Sequence, residues 1–515
     1  MTAGASDIEE LRVDFERLRE LLESLVVRGL RACGPDELSK LRNHAEHLEK
    51  AGAGHSAAVL NDLRTGIEAD GAGTTRKLVE AQTNVRLLER LLTLRVVQGW
   101  YAGAIETGAN PEAGEGDEAS RKTGLVDGVA GSQASHAKAA GSSRPPMPFA
   151  EVQSLRKLLA ELRKGVEELL SAGMTAASKA TIARLDVSFK EASRLKLLRL
   201  GSTLRIANEE IARFASGSPL FSARRLSFFL GRAWLLATAL ERAVAKRDEA
   251  ALATLLATPR TEPVAELFAV VLGVAKRVVP GAFASFDFRL RATRESGPVQ
   301  NRESLVWSCV FPLRKDLDLP AEAFLHLPQK QKFKPSLLLE KREIRMTGCA
   351  VSRQPGVATR VSLSETGTVT TLEPYGDWAS LWGWNLGRAA ARLESHRPGP
   401  MDLDIELQEE VFVDEWRTGA ARTHDDGHKL VPVETPSLPF EMRIETGPSG
   451  VPLAGVMEKL ADEKMRPPLY GLAHYEACRI VLQPLSALGV GGVEYLTLSA
   501  DKISQAELVK AMKFT

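Results

Sequence analysis

The chain is poor in cysteine, and its few thiols lie far apart. Its four cysteines are Cys33, Cys309, Cys349 and Cys478, and no C-x-x-C pair occurs. This spacing excludes a zinc ribbon and the dense disulfide framework of small secreted domains. We therefore expect free thiols and a cytoplasmic protein.

A long apolar run and a surplus of one charge are also missing. The most apolar stretch, Val264 to Ala275, contains Glu266 and is shorter than the roughly 20 residues that a bilayer requires. We interpret it as a buried helix and expect no membrane contact. The first residues include the acidic Asp7 and Glu9 rather than the basic residues with which a secretory signal begins, so we expect no such signal here. The net charge of +1 argues against a chain that coats nucleic acid with its whole surface.

A helical spacing of apolar residues occurs twice in the first half of the chain, about 144 residues apart. The positions Leu11, Phe15, Leu18, Leu22 and Leu25 return as Leu155, Leu159, Leu162, Val166 and Leu169. Each copy predicts three amphipathic helices that form a bundle. We place the copies at residues 1–101 and 150–258, and expect Leu162→Asp to unfold the second copy and spare the first.

The two copies differ in charge and are separated by a segment of low hydrophobicity. Residues 1–101 carry 14 basic and 16 acidic residues, whereas residues 150–250 carry 18 and 11. Copies that share a core pattern but differ in surface charge are typical of modules with different neighbours, although drift without function gives the same result. Residues 102–149 are rich in Gly, Ala, Ser and Glu, which predicts a disordered linker.

The apolar period changes to strand-like alternation after Pro280. At least seven short strands are predicted, interrupted by helical stretches near residues 377–393, 451–464 and 504–513. Gly-rich residues 488–492 predict a hairpin between two strands. The predicted fold class is therefore multidomain, with duplicated all-α three-helix bundle modules followed by a strand-rich, mostly antiparallel α+β half at residues 259–515.

Two groups of residues have the chemistry of metal ligands. The first group lies in a predicted polar loop and consists of His424, Asp425 and His428. The second group lies on a predicted strand of alternating polarity and consists of Asp402, Asp404 and Glu406. Imidazoles and carboxylates bind zinc or manganese, and paired carboxylates serve glycosidases. The same patterns are typical of a solvated loop and a half-exposed strand. We therefore assign no metal and no cofactor.

Two further groups are candidates for interactions. The most basic run contains one aromatic residue: Lys330, Lys332, Phe333, Lys334, Arg342 and Arg345. Phosphate contacts beside a stacking ring are typical of nucleic-acid binding, but no known nucleic-acid signature accompanies them. Trp378, Trp382 and Trp384 form an aromatic cluster of the kind found in binding hot spots. Because Trp378 and Trp382 are four residues apart, packing of a shared helical face is the alternative.

Motifs for catalysis are not found in the sequence. Neither a G-x-S-x-G elbow, nor a P-loop, nor a dinucleotide fingerprint occurs. We therefore predict a non-catalytic scaffold or adaptor subunit of a cytoplasmic multi-protein assembly that binds other proteins. Two alternatives stay open: a metal-dependent hydrolase with its site in the C-terminal half, and a nucleic-acid-binding accessory protein.

Overall fold

A computed structural model describes most of the chain. The described residues are 5–71, 73–107, 149–256, 260–279, 283–313, 319–328, 333–354, 357–396, 399–402, 408–423, 428–444, 451–489, 492–499 and 507. The N-terminal half is helical and the C-terminal half is strand-rich, which confirms a multidomain α+β chain. The described residues fall into two compact units. The helical unit contains 5–71, 73–89, 149–256 and 399–401, and the sheet unit contains 90–107 and the other described residues from 260 onward.

Nine helices are described before the first strand. They are α1 (Ala5–Arg28), α2 (Pro35–Lys50), α3 (Gly54–Glu68), α4 (Thr74–Glu106), α5 (Phe149–Ala172), α6 (Lys179–Arg194), α7 (Leu198–Ala215), α8 (Ala223–Lys246) and α9 (Glu249–Leu256). Among the described helices, none combines the length and apolarity needed to cross a membrane.

The number of helices in each predicted copy differs from the expectation. The structure has four helices in 5–106 and four in 149–246 rather than three. In the first copy the expected break near Ala51–Gly54 is a turn with a positive φ at Gly52, and it divides the second predicted helix into α2 and α3. The predicted linker also begins too early, since α4 continues to Glu106. Residues 108–148 of that linker lie outside the described part of the chain.

Local capping interactions explain where two of the helices begin. In α2 the backbone N–H of Gly34 donates to Glu37 Oε2 at 2.9 Å, and Pro35 occupies the first turn. In α6 the Ser178 hydroxyl accepts from the backbone N–H of Thr181 at 3.0 Å. These contacts satisfy amide groups that the helices themselves leave without partners.

Two glycines allow α1 and α5 to end against each other. Gly29 and Gly173 follow these helices with φ values of 88° and 76°. A Cβ atom on Gly29 would lie 2.3 Å from the Ala172 carbonyl carbon, and one on Gly173 would lie 2.2 Å from the Arg28 carbonyl carbon. The contact is thus reciprocal, and only glycine fits on either side of it.

The sheet unit begins with a closed five-stranded barrel. Its strands are β1 (Arg260–Val279), β2 (Phe283–Ala292), β3 (Ser304–Pro312), β4 (Arg342–Gln354) and β5 (Val357–Pro374). They are ordered β1-β2-β3-β5-β4, with β3 and β5 parallel and the other pairs antiparallel. Two short 3-10 helices, Ala321–His326 and Pro335–Leu339, lie between β3 and β4 in the chain.

A mixed sheet with helices completes this unit. Its strands are β6 (Glu409–Val413), β7 (Arg417–Thr418), β8 (Arg422–Thr423), β9 (Lys429–Glu434), β10 (Pro439–Ile444), β11 (Leu469–Glu476), β12 (Arg479–Gly489) and β13 (Gly492–Tyr495). The main order is β6-β11-β12-β10-β9-β7, β13 pairs with β12 as the predicted hairpin, and β10 and β12 are parallel. The helices are α10 (Leu386–Ser395), α11 (Val451–Ala461) and the C-terminal part of α4.

The prediction of a buried helix at Val264–Ala275 is wrong, because this stretch is the middle of β1. Leu267 and Val271 of the strand belong to the core of the barrel, whereas Val270 and Leu272 pack on its outer side with Leu485 of β12. A strand covered on both faces loses its polar alternation and resembles a buried helix in sequence.

Two of the other helical predictions can be assessed. The stretch at 451–464 contains α11, which confirms it. The stretch at 377–393 contains a 3-10 helix, Trp378–Leu381, followed by α10. Apart from residue 507, the stretch at 504–513 lies outside the described residues.

Candidate interaction surface

Most of the candidate metal ligands lie outside the described residues. These are Asp404, Glu406, His424 and Asp425. His428, just before β9, lies with its Nδ1 3.3 Å from Nη2 of Arg443, and the backbone carbonyl of Asp402 accepts from Arg90 at 2.9 Å. Within the described part of the chain, no group of three or more His, Cys, Asp or Glu side chains is placed to hold a metal ion.

The structure separates the members of the basic run. Lys330 and Lys332 lie outside the described residues. Phe333 is 7% exposed and packs inside the barrel, with its ring centroid 5.3 Å from that of Trp307. Its ring is therefore part of the core and does not face a ligand in solvent.

The basic side chains of the same run have different surroundings. Lys334 is exposed. Arg342 donates to the carbonyl of Leu372 at 3.0 Å, and Arg345 forms an ion pair with Glu266. The described members thus do not form a row of cations beside a stacking ring.

The three tryptophans lie in different environments, and Trp378 and Trp382 do not share a helical face. Trp378 is buried in the 3-10 helix with its ring 5.4 Å from Tyr375, and Trp382 follows that helix in an extended conformation. Trp384 is half-buried, and its ring packs 6.1 Å from Tyr101. The cluster therefore contributes mainly to the core of the sheet unit.

A buried polar network that the sequence did not predict joins α4 to the sheet. The hydroxyls of Tyr101 and Tyr475 are 2.9 Å apart, and Tyr475 donates to Glu409 Oε2 at 2.9 Å. Arg392 of α10 pairs with the same carboxylate at 2.6 Å. Burial raises the pKa values of Tyr101 and Tyr475 above the ordinary range. Both phenols thus stay protonated and serve as hydrogen-bond donors that hold α4 in place.

The two thiols of the barrel are unreactive near neutral pH. Cys309 and Cys349 are buried among its core residues. Burial raises the pKa of the Cys309 thiol to about 12 and that of Cys349 to about 11. A thiol is nucleophilic only as a thiolate, so these two side chains act as apolar core groups near neutral pH.

The outer face of α6 and α7 has a different character. Among the described residues, exposed large apolar side chains are few, and two of them lie here: Val187 is 56% exposed and Leu198 is 60% exposed. Several basic side chains are exposed on the same two helices and the turn between them. We define the α6–α7 surface as Val187, Lys190, Arg194, Lys196, Leu198 and Arg205.

Three cations of this surface pair with nearby exposed carboxylates. Lys190 lies 2.6 Å from Asp186, Arg194 lies 2.9 Å from Glu191, and Arg205 lies 2.6 Å from Glu209. Exposed pairs spaced three or four residues apart contribute little free energy. These guanidinium and ammonium groups can therefore change partners on binding at small cost.

The helical hairpin α2–α3, which aligns with the helical hairpin α6–α7, carries different side chains. With the offset of 144, Val187 and Leu198 align with Asn43 and Gly54, and Lys190 aligns with Glu46. Residues 179–215 contain eight basic and four acidic residues, whereas residues 35–68 contain four and six. The charge difference between the predicted copies is therefore concentrated on these two hairpins.

Comparison with known proteins does not assign this surface. A scan of protein-family models finds no match for the chain, and a search of curated proteins finds none either.

Proposed function

We propose that the chain is a non-catalytic adaptor subunit of a cytoplasmic multi-protein assembly and that it binds a partner through the α6–α7 surface. One observation carries the proposal: Val187 and Leu198 are more than half exposed among basic side chains, at positions where the aligned hairpin has Asn43 and Gly54. Apolar contact surrounded by charge of one sign supplies both affinity and electrostatic steering.

We further propose that the helical unit arose from two copies of one module. The bounds of the helices support this, since α1 and α5 are each 24 residues long, α2 and α6 are each 16, and α5, α6 and α7 begin 144 residues after α1, α2 and α3. Leu18 and Leu162 are both buried at aligned positions. Packing constrains such positions in both copies, whereas the outer faces are free to bind different neighbours.

Site-specific photo-crosslinking in the cells that make the protein tests the adaptor function. A photoreactive phenylalanine analogue at position 198 is expected to form a covalent adduct with a protein of defined mass. The adduct should disappear when Lys190→Glu and Arg194→Glu are added, because the steering charge is reversed. The same analogue at the exposed position 157 of α5 is the control and should give no such adduct.

Other outcomes of this experiment contradict the proposal. Adducts with nucleic acid instead of protein would favour the nucleic-acid-binding alternative, in which affinity falls steeply with salt. Equal adducts from positions 157 and 198 would show that the α6–α7 surface has no special role.

A further inference from the structure

The α2–α3 hairpin offers a surface that complements α6–α7. Glu46, Glu49 and Asp62 are exposed on it, and its net charge of four basic against six acidic residues is negative. The turn between its helices is made of small residues, Ala51 to Gly54. A Cβ atom placed on Gly52 would meet no atom within 4 Å, so this turn is open to solvent and accessible to another molecule.

We propose that the occupant of the α6–α7 surface is the α2–α3 hairpin of a second copy of this chain. Leu198 and Val187 would pack against the small-residue turn, while Lys190 and Arg194 would face Glu46 and Glu49. The inference rests on the proposed adaptor function, because it names the partner of the same surface.

The contact joins two different surfaces, so it is heterologous. In a bound pair, one molecule keeps a free α2–α3 hairpin and the other keeps a free α6–α7 surface. Such contacts build rings or open chains rather than closed dimers. The assembly is therefore expected to grow with protein concentration beyond the mass of two chains.

A charge-swap experiment with the full-length chain tests this inference. Sedimentation equilibrium of the wild-type protein at low salt should give an average mass that rises with concentration beyond that of a dimer. Raising the salt concentration about fivefold should weaken association by about tenfold, because exposed charges are screened. A salt-independent association would contradict the proposed contact.

Two variants supply the decisive comparison. One carries Lys190→Glu and Arg194→Glu, and the other carries Glu46→Lys and Glu49→Lys. Each alone should stay monomeric, since its two surfaces then have the same sign of charge, whereas an equimolar mixture should associate. Arg156→Glu with Lys157→Glu on α5 is the matched control and should associate like the wild type.

The outcomes separate this inference from the proposed function. A wild-type chain that stays monomeric at all concentrations, or variants whose mixture does not associate while both retain the wild-type circular dichroism, would overturn self-association. If either double variant unfolds, Leu198→Ser alone should lower the wild-type association constant about tenfold, and an unchanged constant would overturn it. Crosslinking of position 198 to a different protein would preserve the adaptor function in each of these cases.

Discussion

The carboxylate of Glu210 in α7 forms hydrogen bonds at a position where the aligned residue of the first copy uses its backbone carbonyl. It is 0% exposed, its Oε2 accepts from the backbone N–H of Ser222 at 2.9 Å, and its Oε1 lies 2.9 Å from Arg225. It also pairs with Arg213. The aligned residue is Gly66, whose carbonyl accepts from the Thr74 hydroxyl at 3.0 Å. The turn before the last helix of the copy is therefore closed by different chemistry in each case.

Replacing Glu210 with Gln is expected to lower the free energy of unfolding of the helical unit by about 3 kcal/mol, because the guanidinium groups lose a buried carboxylate. Urea denaturation followed by circular dichroism measures the change. Glu209→Gln is the control, since its pair with Arg205 is exposed and should contribute less than about 1 kcal/mol. Equal losses in both variants would contradict the role of Glu210.

Glu23 of α1 predicts a dependence of stability on pH. Burial raises the pKa of its carboxyl to about 7 from the ordinary value of 4.5, although Arg19 and Arg224 act in the opposite direction. The folded state thus keeps a proton that the unfolded state releases, so the contribution of Glu23 to stability falls as pH rises from about 4.5 to 7.

Glu23→Gln removes this dependence. The variant should be about 1–3 kcal/mol more stable than the wild type at pH 8 and nearly equal to it at pH 5. Urea denaturation at both pH values gives the difference. Glu20→Gln, at an exposed position of the same helix, should show no such change. A gain from Glu23→Gln of the same size at pH 5 and pH 8 would refute the explanation.

At the scale of elements, the reciprocal contact of Gly29 and Gly173 fixes how α1 and α5 meet. Gly173→Ala should cost more than about 3 kcal/mol, because the new methyl would overlap the Arg28 backbone and φ is positive. Gly217→Ala separates the two causes, since Gly217 has a φ of 62° but no atom near its Cβ position. It should cost about 1 kcal/mol in thermal or urea unfolding. Similar costs at both sites would mean that crowding is unimportant.

Features that depend on residues close together in the chain could be predicted from the sequence, whereas contacts between distant residues could not. The helices of the first half follow from a 3.6-residue spacing that is visible in short windows, and the β12–β13 hairpin follows from its glycines. β1 resembles a buried helix in sequence because a barrel core covers one of its faces and a second sheet covers the other. The pairing of Tyr101 with Tyr475 joins residues 374 positions apart, and no local pattern indicates such a contact.

The candidate sites were even less visible in the sequence. Phe333 looks like a stacking residue beside lysines, but its burial against Trp307 depends on the closed barrel. The α6–α7 surface had a signal in the charge difference between the copies, yet its exposed Val187 and Leu198 look like ordinary core residues of an amphipathic helix. Only the packing of the neighbouring helices shows which apolar side chains stay outside.

At the scale of the whole molecule, residues 5–89 of the first predicted copy and residues 149–256 of the second belong to one compact helical unit. Leu162→Asp is therefore expected to unfold both copies together, not the second alone, because it places a charge at a completely buried position of α5. Limited proteolysis with mass spectrometry should then cleave residues 5–89 and 149–246 at the same urea concentration. Leu198→Asp, at an exposed leucine, is the matched control. Continued protection of residues 5–89 in Leu162→Asp would show that the copies fold independently.

The proposed function requires that a protein covers the α6–α7 surface in the native assembly. Reactivity of lysines towards an acylating reagent, measured by mass spectrometry in intact cells and on the purified chain at a dilution that favours monomers, tests it most directly. We expect Lys190 and Lys196 to react at least about fivefold more slowly in cells, because a bound protein excludes the reagent, while the exposed Lys157 of α5 reacts equally in both. Equal reactivity of all three lysines in the two samples would contradict the claim.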